Sequence, residues 1–392
     1  MPIIGMTGDE AVAQAAKVVN PDVCAAYPIT PQTIIVERFS DFVNDGEVDT
    51  DFVCVESEHS AMSACVGASA TGARVFTATA SQGLLLMYEI LFIAASSRLP
   101  IIMALANRAV SGPINIHGEL SDQLLMRDSG WISLFSENNQ EAYDQTILAF
   151  RIGEHQDVQL PVAIGLDGFI LSHALEGVDV VDRQFVRDYL PPRQMKYPFV
   201  PENPVTIGLL CLPDFYYELR YQIEDANNKA LNVIPDMFNE WGERTGRYYK
   251  PIETYQCEDA EFAFITMGAF AGNAKATVDD LREQGEKVGA IKIRTFRPWF
   301  GDMFYNAIKD IPTLGIVERA HSFGGNQHHQ MLASDVFSTL YTKRDFKNVY
   351  SHIAGLGGRD LLIPSWKELY QNCKEWASEE RVMETQWVGL RE

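Results

Sequence analysis

Over its first 170 residues the chain alternates short apolar runs with longer stretches in which apolar residues recur every three or four positions. Runs at 23–27, 52–55, 74–78, 100–106 and 161–165 are rich in β-branched or small apolar residues and read as buried strands. Amphipathic stretches such as 9–19 and 140–152 read as helices between them. Strand–helix alternation of this kind restricts the chain to βαβ units, a parallel sheet covered by helices on both faces. Ligands of such folds bind at the carboxyl ends of the strands, where loops and helix N-termini meet.

The texture changes between 182 and 257. Prolines cluster at Pro191, Pro192, Pro198, Pro201 and Pro204, and 213–247 is polar, helical and rich in tyrosine. This stretch reads as a connector carrying one long helix that lies over the first unit. Alternation resumes with a strand at 262–267, a helix at 272–283 and a strand at 287–293. A loop at 294–298, a strand at 313–318, a helix at 327–340 and a strand at 349–353 follow. With 392 residues, and roughly 100–200 residues per domain, the expected division is a first α/β domain at 1–190, a connector at 191–257 and a second α/β domain at 258–392.

Composition narrows the function. Fifty-three acidic residues against 32 basic ones leave a formal charge of −21, a surface that repels phosphate backbones, so no nucleic-acid partner is expected. No apolar stretch approaches the roughly 18 uncharged residues of a membrane span, and the first residues show no basic patch followed by an apolar run. A cytoplasmic protein is expected. None of the six cysteines forms a CxxC pair or a zinc-like set with histidine. Four lie in apolar surroundings and read as buried reduced thiols. Any iron–sulfur clusters serving this protein are therefore expected on other chains. GxGxxG and the Walker pattern are both absent.

Several strand ends carry chemistry. Tyr27, Pro28, Ile29, Thr30 and Pro31 close the first strand; two prolines stiffen the backbone around Thr30, which either presents its hydroxyl in a fixed direction or caps a turn. Glu56 and Glu58 follow the second strand. If the helix has begun there, they diverge by roughly 200° and only one can face a site. A glutamate buried against an apolar ring can exchange a proton with a ring nitrogen; the competing reading is an acid in the first helical turn. Arg108 comes directly after the strand ending at residue 106, where its planar fork suits a carboxylate unless it pairs with a local acid. Thr79 to Gly83 forms a glycine-containing turn into a helix. Arg294 and Arg297 make a basic loop that binds a partner or phosphate, or pairs with local acids. His321, His328 and His329 do not have zinc-ligand spacing, and no metal site is expected on this chain.

Taken together, these stretches closely resemble the alpha subunit of the pyruvate:ferredoxin oxidoreductase family, the thiamine-dependent 2-oxoacid oxidoreductases. Residues 27–31, 56–61, 107–116, 160–164 with Asp167 and Gly168, 294–298 and 355–360 occur in family order. The resemblance implies a first domain of the thiamine-diphosphate pyrimidine-binding type and a second like the transketolase C-terminal domain. It implies that Glu58 contacts the aminopyrimidine ring of thiamine diphosphate and promotes its imino tautomer, with Pro28 and Ile29 also at the cofactor. Thr30 and Arg108 would hold the 2-oxoacid carboxylate. No GDG-type motif with a downstream asparagine is present. Mg2+ and the pyrophosphate half of the cofactor are therefore expected on a beta subunit, and [4Fe-4S] clusters on partners that include gamma and ferredoxin-like delta subunits.

The implied activity is oxidative decarboxylation of a 2-oxoacid, pyruvate by default, to acyl-CoA and CO2. Coenzyme A is the co-substrate, and electrons pass through partner clusters to ferredoxin or a similar acceptor. Alone, the chain is expected to be inactive. One departure stands out: Leu120 takes the place of a histidine that often precedes the Ser-Asp pair in the family. It keeps an aryl or branched 2-oxoacid, such as phenylglyoxylate or 2-oxoisovalerate, as an alternative. A non-catalytic scaffold is a second alternative, and a nucleotide-binding dehydrogenase is disfavoured by the missing glycine fingerprint.

Overall fold

The computed structural model describes residues 2–328 and 330–391. The first half runs β1 (Ile3–Met6), α1 (Gly8–Val19), β2 (Val23–Ala26), α2 (Thr33–Asn44), β3 (Asp51–Cys54) and α3 (Glu58–Ala70). It continues with β4 (Val75–Thr79), α4 (Ser81–Leu86), α5 (Tyr88–Ser96), β5 (Ile101–Asn107) and α6 (Ser121–Leu125). It closes with β6 (Ile132–Phe135), α7 (Asn139–Gly153), β7 (Val162–Asp167), β8 (Glu176–Asp179) and α8 (Arg183–Tyr189). The long helix α9 (Pro213–Thr245) leads to β9 (Ile252–Tyr255), β10 (Phe262–Thr266), α10 (Phe270–Glu283), β11 (Val288–Ile293) and β12 (Thr295–Arg297). The remainder is α11 (Gly301–Ile308), β13 (Thr313–Glu318), α12 (Met331–Lys343), β14 (Asn348–Ile353), α13 (Ile363–Ser378) and β15 (Gln386–Trp387).

These elements form two α/β layers. One seven-stranded sheet has the order β12-β6-β7-β5-β4-β2-β3, parallel except for β12. The other, six-stranded, has the order β15-β14-β13-β10-β11-β9, parallel except for β9. Every residue of β5 is buried, as a central strand covered on both faces requires. The helices start where the sequence supplies caps. Thr7 and Glu10 form a reciprocal capping box for α1, and the Ser57 hydroxyl accepts the Ser60 N–H at the start of α3. The apolar side of α9, with Ile223, Ala226, Ala230, Ile234, Phe238 and Trp241, is buried in the main core. Leu120 also belongs to that core, which runs on through Phe135 and Phe296 into Phe304 and Ile316 of the second half.

The structure corrects the sequence reading at several places. The span 191–257 is more than a connector with a helix: its last strand, β9, is the antiparallel edge of the second sheet. Residues 294–298 are not a loop, because β12 lies antiparallel to β6 and completes the first sheet. The helix expected from 327 begins at Met331. β1, β6 and β8, four residues each, are strands that the sequence reading does not include. All six cysteines are free; Cys24, Cys65 and Cys373 are buried, Cys211 and Cys257 half-buried, and Cys54 exposed. No helix among the described residues is long and apolar enough to cross a membrane.

Charged side chains clamp the two halves. Arg294 and Lys292, both buried, share Glu141 Oε1 at 2.7 and 2.5 Å, and Arg294 also reaches Glu253 at 2.6 Å. Lys275 bridges Glu137 and Glu253 at 2.8 and 2.7 Å, and Arg297 pairs with Asp335. Arg294 and Arg297 thus pair with acids of this same chain. Burial pushes the Glu253 carboxyl up, but Lys292, Arg294 and Lys275 outweigh burial and bring it from 4.5 down to about 2. A carboxyl held below its unfolded value stabilises the fold above pH 4.5 and loses that contribution as pH falls toward about 2. Glu253→Gln should therefore lower the urea midpoint at pH 7 and flatten its fall between pH 4.5 and 3. Parallel midpoint curves for the two proteins would contradict this clamp.

Candidate active site

The candidate residues converge where β2, β3, β4 and β5 end. β3 stops at Cys54, Ser57 caps α3, and Glu58 is the first helical residue. This register separates the two glutamates. Glu56 stays exposed, accepting from the Ser60 hydroxyl at 2.5 Å, whereas Glu58 turns inward and is 6% exposed. No hydrogen-bond or ion-pair partner for the Glu58 carboxylate is found among the described residues. It lies over the turn that starts α4. A Cβ at Gly83 would stand 2.4 Å from Thr79 Oγ1 and 2.6 Å from Glu58 Oε1, so only glycine leaves the carboxylate where it is.

Arg108 follows β5 directly and is also buried. Its Nη1 donates to the Thr30 carbonyl at 2.8 Å, and its Nε donates to the Asn115 carbonyl at 3.3 Å. Burial draws the guanidinium below its ordinary value, opposed by the charge of Asp122. No carboxylate lies within ion-pair distance of Arg108 among the described residues. The ion-pair alternative raised by the sequence is therefore not realised. Thr30 is exposed, as is Pro28, with Ile29 between them half-buried. The main-chain carbonyl of Thr30, rather than its hydroxyl, ties that turn to Arg108.

Polar groups that the sequence reading passed over hold this arrangement from below. Gln32 Nε2 donates to the carbonyls of Tyr27 and Ala78, both at 3.0 Å, joining the turns after β2 and β4. Ser81 Oγ donates to the Ala109 carbonyl at 2.6 Å. Asp122, fully buried, accepts the N–H groups of Ser81 and Arg108. Burial pushes its carboxyl up to about 6, and the N–H donors of Arg108 and Ser81 are the chief forces opposing that rise. Spacing could not reveal these residues. Their one local signal is that Asn107 and Gln123 are polar positions immediately at the ends of apolar runs.

The second half walls one side. The loop carrying Asn115 and His117 packs on Gly357 and Gly358, both in the left-handed region. Asn115 Nδ2 donates to the Gly357 carbonyl at 3.0 Å, and the Gly357 N–H donates to Glu119 Oε2 at 3.1 Å. Leu120, 1% exposed, faces Gly268 across this junction.

Among the described residues no three His, Cys, Asp or Glu side chains are grouped to hold a metal. His328 Nδ1 contacts the Met383 carbonyl, His321 packs against Phe323 and Trp387, and His329 lies outside the described residues. A cavity of about 520 Å3 lies away from this cluster, lined by Arg98, Met195, Tyr197, Asp225 and others beside α9.

Polar side chains gathered where parallel strands end place this chain among the α/β proteins that bind ligands at the carboxyl ends of their strands. Residues 14–239 match the family model for the pyruvate flavodoxin/ferredoxin oxidoreductase thiamine-diphosphate-binding region, and 260–365 match pyruvate:ferredoxin oxidoreductase core domain II. The pyruvate synthase subunit PorA of Thermotoga maritima is 46% identical, covering 99% of this chain and 98% of its own. The ketoisovalerate oxidoreductase subunit VorA of Pyrococcus horikoshii is 42% identical over 98% of both chains. Two solved structures share the fold. One is a 2-oxoglutarate:ferredoxin oxidoreductase from Magnetococcus marinus with 2-oxoglutarate, coenzyme A and succinyl-CoA bound (TM-score 0.74, 19% identity); the match covers 95% of this chain and 65% of that one. The other is an inactive split-gene transketolase tetramer (TM-score 0.56, 13% identity), covering 96% and 100% of the two chains. The chain belongs to the pyruvate:ferredoxin oxidoreductase family, as the alpha subunit of a multi-subunit 2-oxoacid oxidoreductase.

Gly83→Ala should displace the Glu58 carboxylate while leaving the sheet intact. The expected outcome is a fall in turnover of the assembled complex by about 10²-fold, with little change in melting temperature. Turnover near that of the parent would show that the contact with Gly83 does not set the position of Glu58.

Proposed function

We propose that this chain supplies the pyrimidine-side half of a thiamine diphosphate site for oxidative decarboxylation of pyruvate to acetyl-CoA and CO2. The observation that carries the reading is Glu58: a buried carboxylate at a helix start, above a glycine floor, with no partner in its own chain among the described residues. Thiamine diphosphate fits that vacancy in hydrogen bonding, because its aminopyrimidine ring offers nitrogens to a carboxylate beside an apolar surface. When bound, the cofactor supplies the electron sink for breaking the carboxylate–carbonyl carbon bond. Glu58 would hold and move the proton at the ring nitrogen, with Pro28 and Ile29 against the cofactor. Arg108 would orient the 2-oxoacid carboxylate through its remaining N–H donors, with Thr30 on the other side.

The site needs partners. Exposed apolar side chains, Tyr27, Leu86, Ile114 and Ile116, rim the cluster. They support a beta subunit that covers the strand ends and would bring Mg2+ and the pyrophosphate half. Gamma and delta subunits would carry electrons through [4Fe-4S] clusters to ferredoxin, with coenzyme A as acyl acceptor in the cytoplasm. Pyruvate is favoured by the greater similarity to pyruvate synthase subunits.

In complex isolated through this chain, CoA-dependent viologen reduction should be fastest with pyruvate among pyruvate, 2-oxoisovalerate, phenylglyoxylate and 2-oxoglutarate. Preference for another acid would replace the substrate, and no activity with any would favour a scaffold. Glu58→Ala should abolish turnover, and activity within about tenfold of the parent would sink its assigned role. Arg108→Ala should mainly raise the KM for the 2-oxoacid, by about 10–10²-fold.

A further inference from the structure

The structure assigns to Asp122 the work of a positioning residue, which holds Arg108 and the turn beneath Glu58 in one frame through the two oxygens of a buried carboxylate. This inference rests on the carboxylate-binding role proposed for Arg108.

Asp122 is the second residue of α6 and is wholly inside the protein. Its Oδ2 accepts the main-chain N–H groups of Arg108 and Ser81, each at 3.0 Å. Its Oδ1 accepts Asn107 Nδ2 at 3.0 Å and the Gln123 N–H at 2.8 Å. Four donors on two oxygens use the acceptor capacity of an ionised carboxylate, which no other side chain of this size reproduces. The partners come from three separate segments: the end of β5, the start of α4 and α6 itself.

Each partner is fixed in turn. Asn107 Nδ2 also donates to Gln123 Oε1 at 3.1 Å, and Gln123 Nε2 donates to Ser133 Oγ and the Leu134 carbonyl at 2.9 and 3.0 Å. This amide pair sits on Gly165 of β7, where an added Cβ would stand 2.0 Å from Gln123 Oε1. The carboxylate is thereby referenced to β6 and β7, the rigid part of the sheet. On its other side Ser81 has φ +44°, a left-handed conformation that a non-glycine residue keeps only when its surroundings enforce it. The acceptance of its N–H by Asp122, with its own hydroxyl bonded to the Ala109 carbonyl, supplies that enforcement. Two residues further on is Gly83, directly under the Glu58 carboxylate. An amide at 122 keeps one acceptor oxygen, so either the N–H groups of Arg108 and Ser81 or the Asn107 and Gln123 donors would face an NH2 group, and the four-donor frame would be broken on one side. Displacements of about 1 Å at such positions cost on the order of 10²-fold in rate.

The test is a double-mutant cycle in the assembled complex, comparing the parent, Arg108→Ala, D122N and the pair. Two readouts are followed: the KM for pyruvate, and the affinity for oxamate, a non-reacting 2-oxoacid analogue, measured by calorimetry. D122N alone should weaken both by at least about tenfold. In the Arg108→Ala background it should weaken them by less than about twofold, since the group it positions is gone. Effects that multiply, or a D122N enzyme with the parent's KM and oxamate affinity, would overturn the assignment. Arg108→Ala with unchanged KM and oxamate affinity would instead refute the carboxylate role of Arg108, a result readable without any variant at 122. If D122N does not assemble, D122S, which keeps an acceptor without the amide donors, takes its place in the cycle. Failure of both to assemble would make Asp122 a folding residue and overturn its special link to the site.

Discussion

One buried ion pair joins the two sheets. Asp167 is the last residue of β7 and Arg319 follows β13 immediately, so the carboxyl ends of two strands from different sheets meet in a bond between side chains each 1% exposed. The other Asp167 oxygen accepts the Ala269 N–H at 2.7 Å, and Arg319 Nη2 donates to the Gly118 carbonyl at 2.8 Å. The guanidinium also lies over the Phe270 ring. With Asp167 removed, the arginine would be left charged in a dry junction, a loss of about 3–5 kcal/mol for a buried pair. The loop after Arg108 is held by this pair through Gly118, so the shape of the strand-end cluster depends on a contact outside it.

Within the cluster the Asp122 carboxylate is fully bonded: Asn107 Nδ2, the Gln123 N–H and the N–H groups of Arg108 and Ser81 all donate to it. Glu58, by contrast, is placed by the Ser57 cap and the bare surface of Gly83, with nothing in its own chain bonded to the carboxylate among the described residues. A buried carboxylate without a partner is costly. Its burial here makes sense when a second molecule brings the donor.

Much of this was legible in the sequence, and for physical reasons. Parallel central strands must be apolar on both faces, so β2, β4, β5 and β7 showed as continuous runs. The choice between Glu56 and Glu58 turned on whether the helix had begun, and the serine before Glu58 decides it by capping α3. What stayed hidden depends on contacts distant in sequence. β12 is three residues long and ends before a proline, so only its pairing with β6 makes it a strand. The packing of Leu120 against Gly268, nearly 150 residues later, likewise has no local signal. Asp122 drew no notice in the sequence, because three of its four donors come from segments that local periodicity cannot bring together.

The strand β12 also bears on how such a chain can be divided during evolution. The first sheet takes its outermost strand from residues that follow the long helix, and in return β6 is protected from unpaired exposure. A gene cut between the two α/β halves would leave the upstream product with a raw sheet edge able to recruit foreign strands, and the downstream product with a dangling arm. The two products would regain this strand pairing only by strand donation. Lineages that separate these modules onto different polypeptides therefore need either a substitute edge or a break placed after Arg297, and this chain keeps both halves on one backbone.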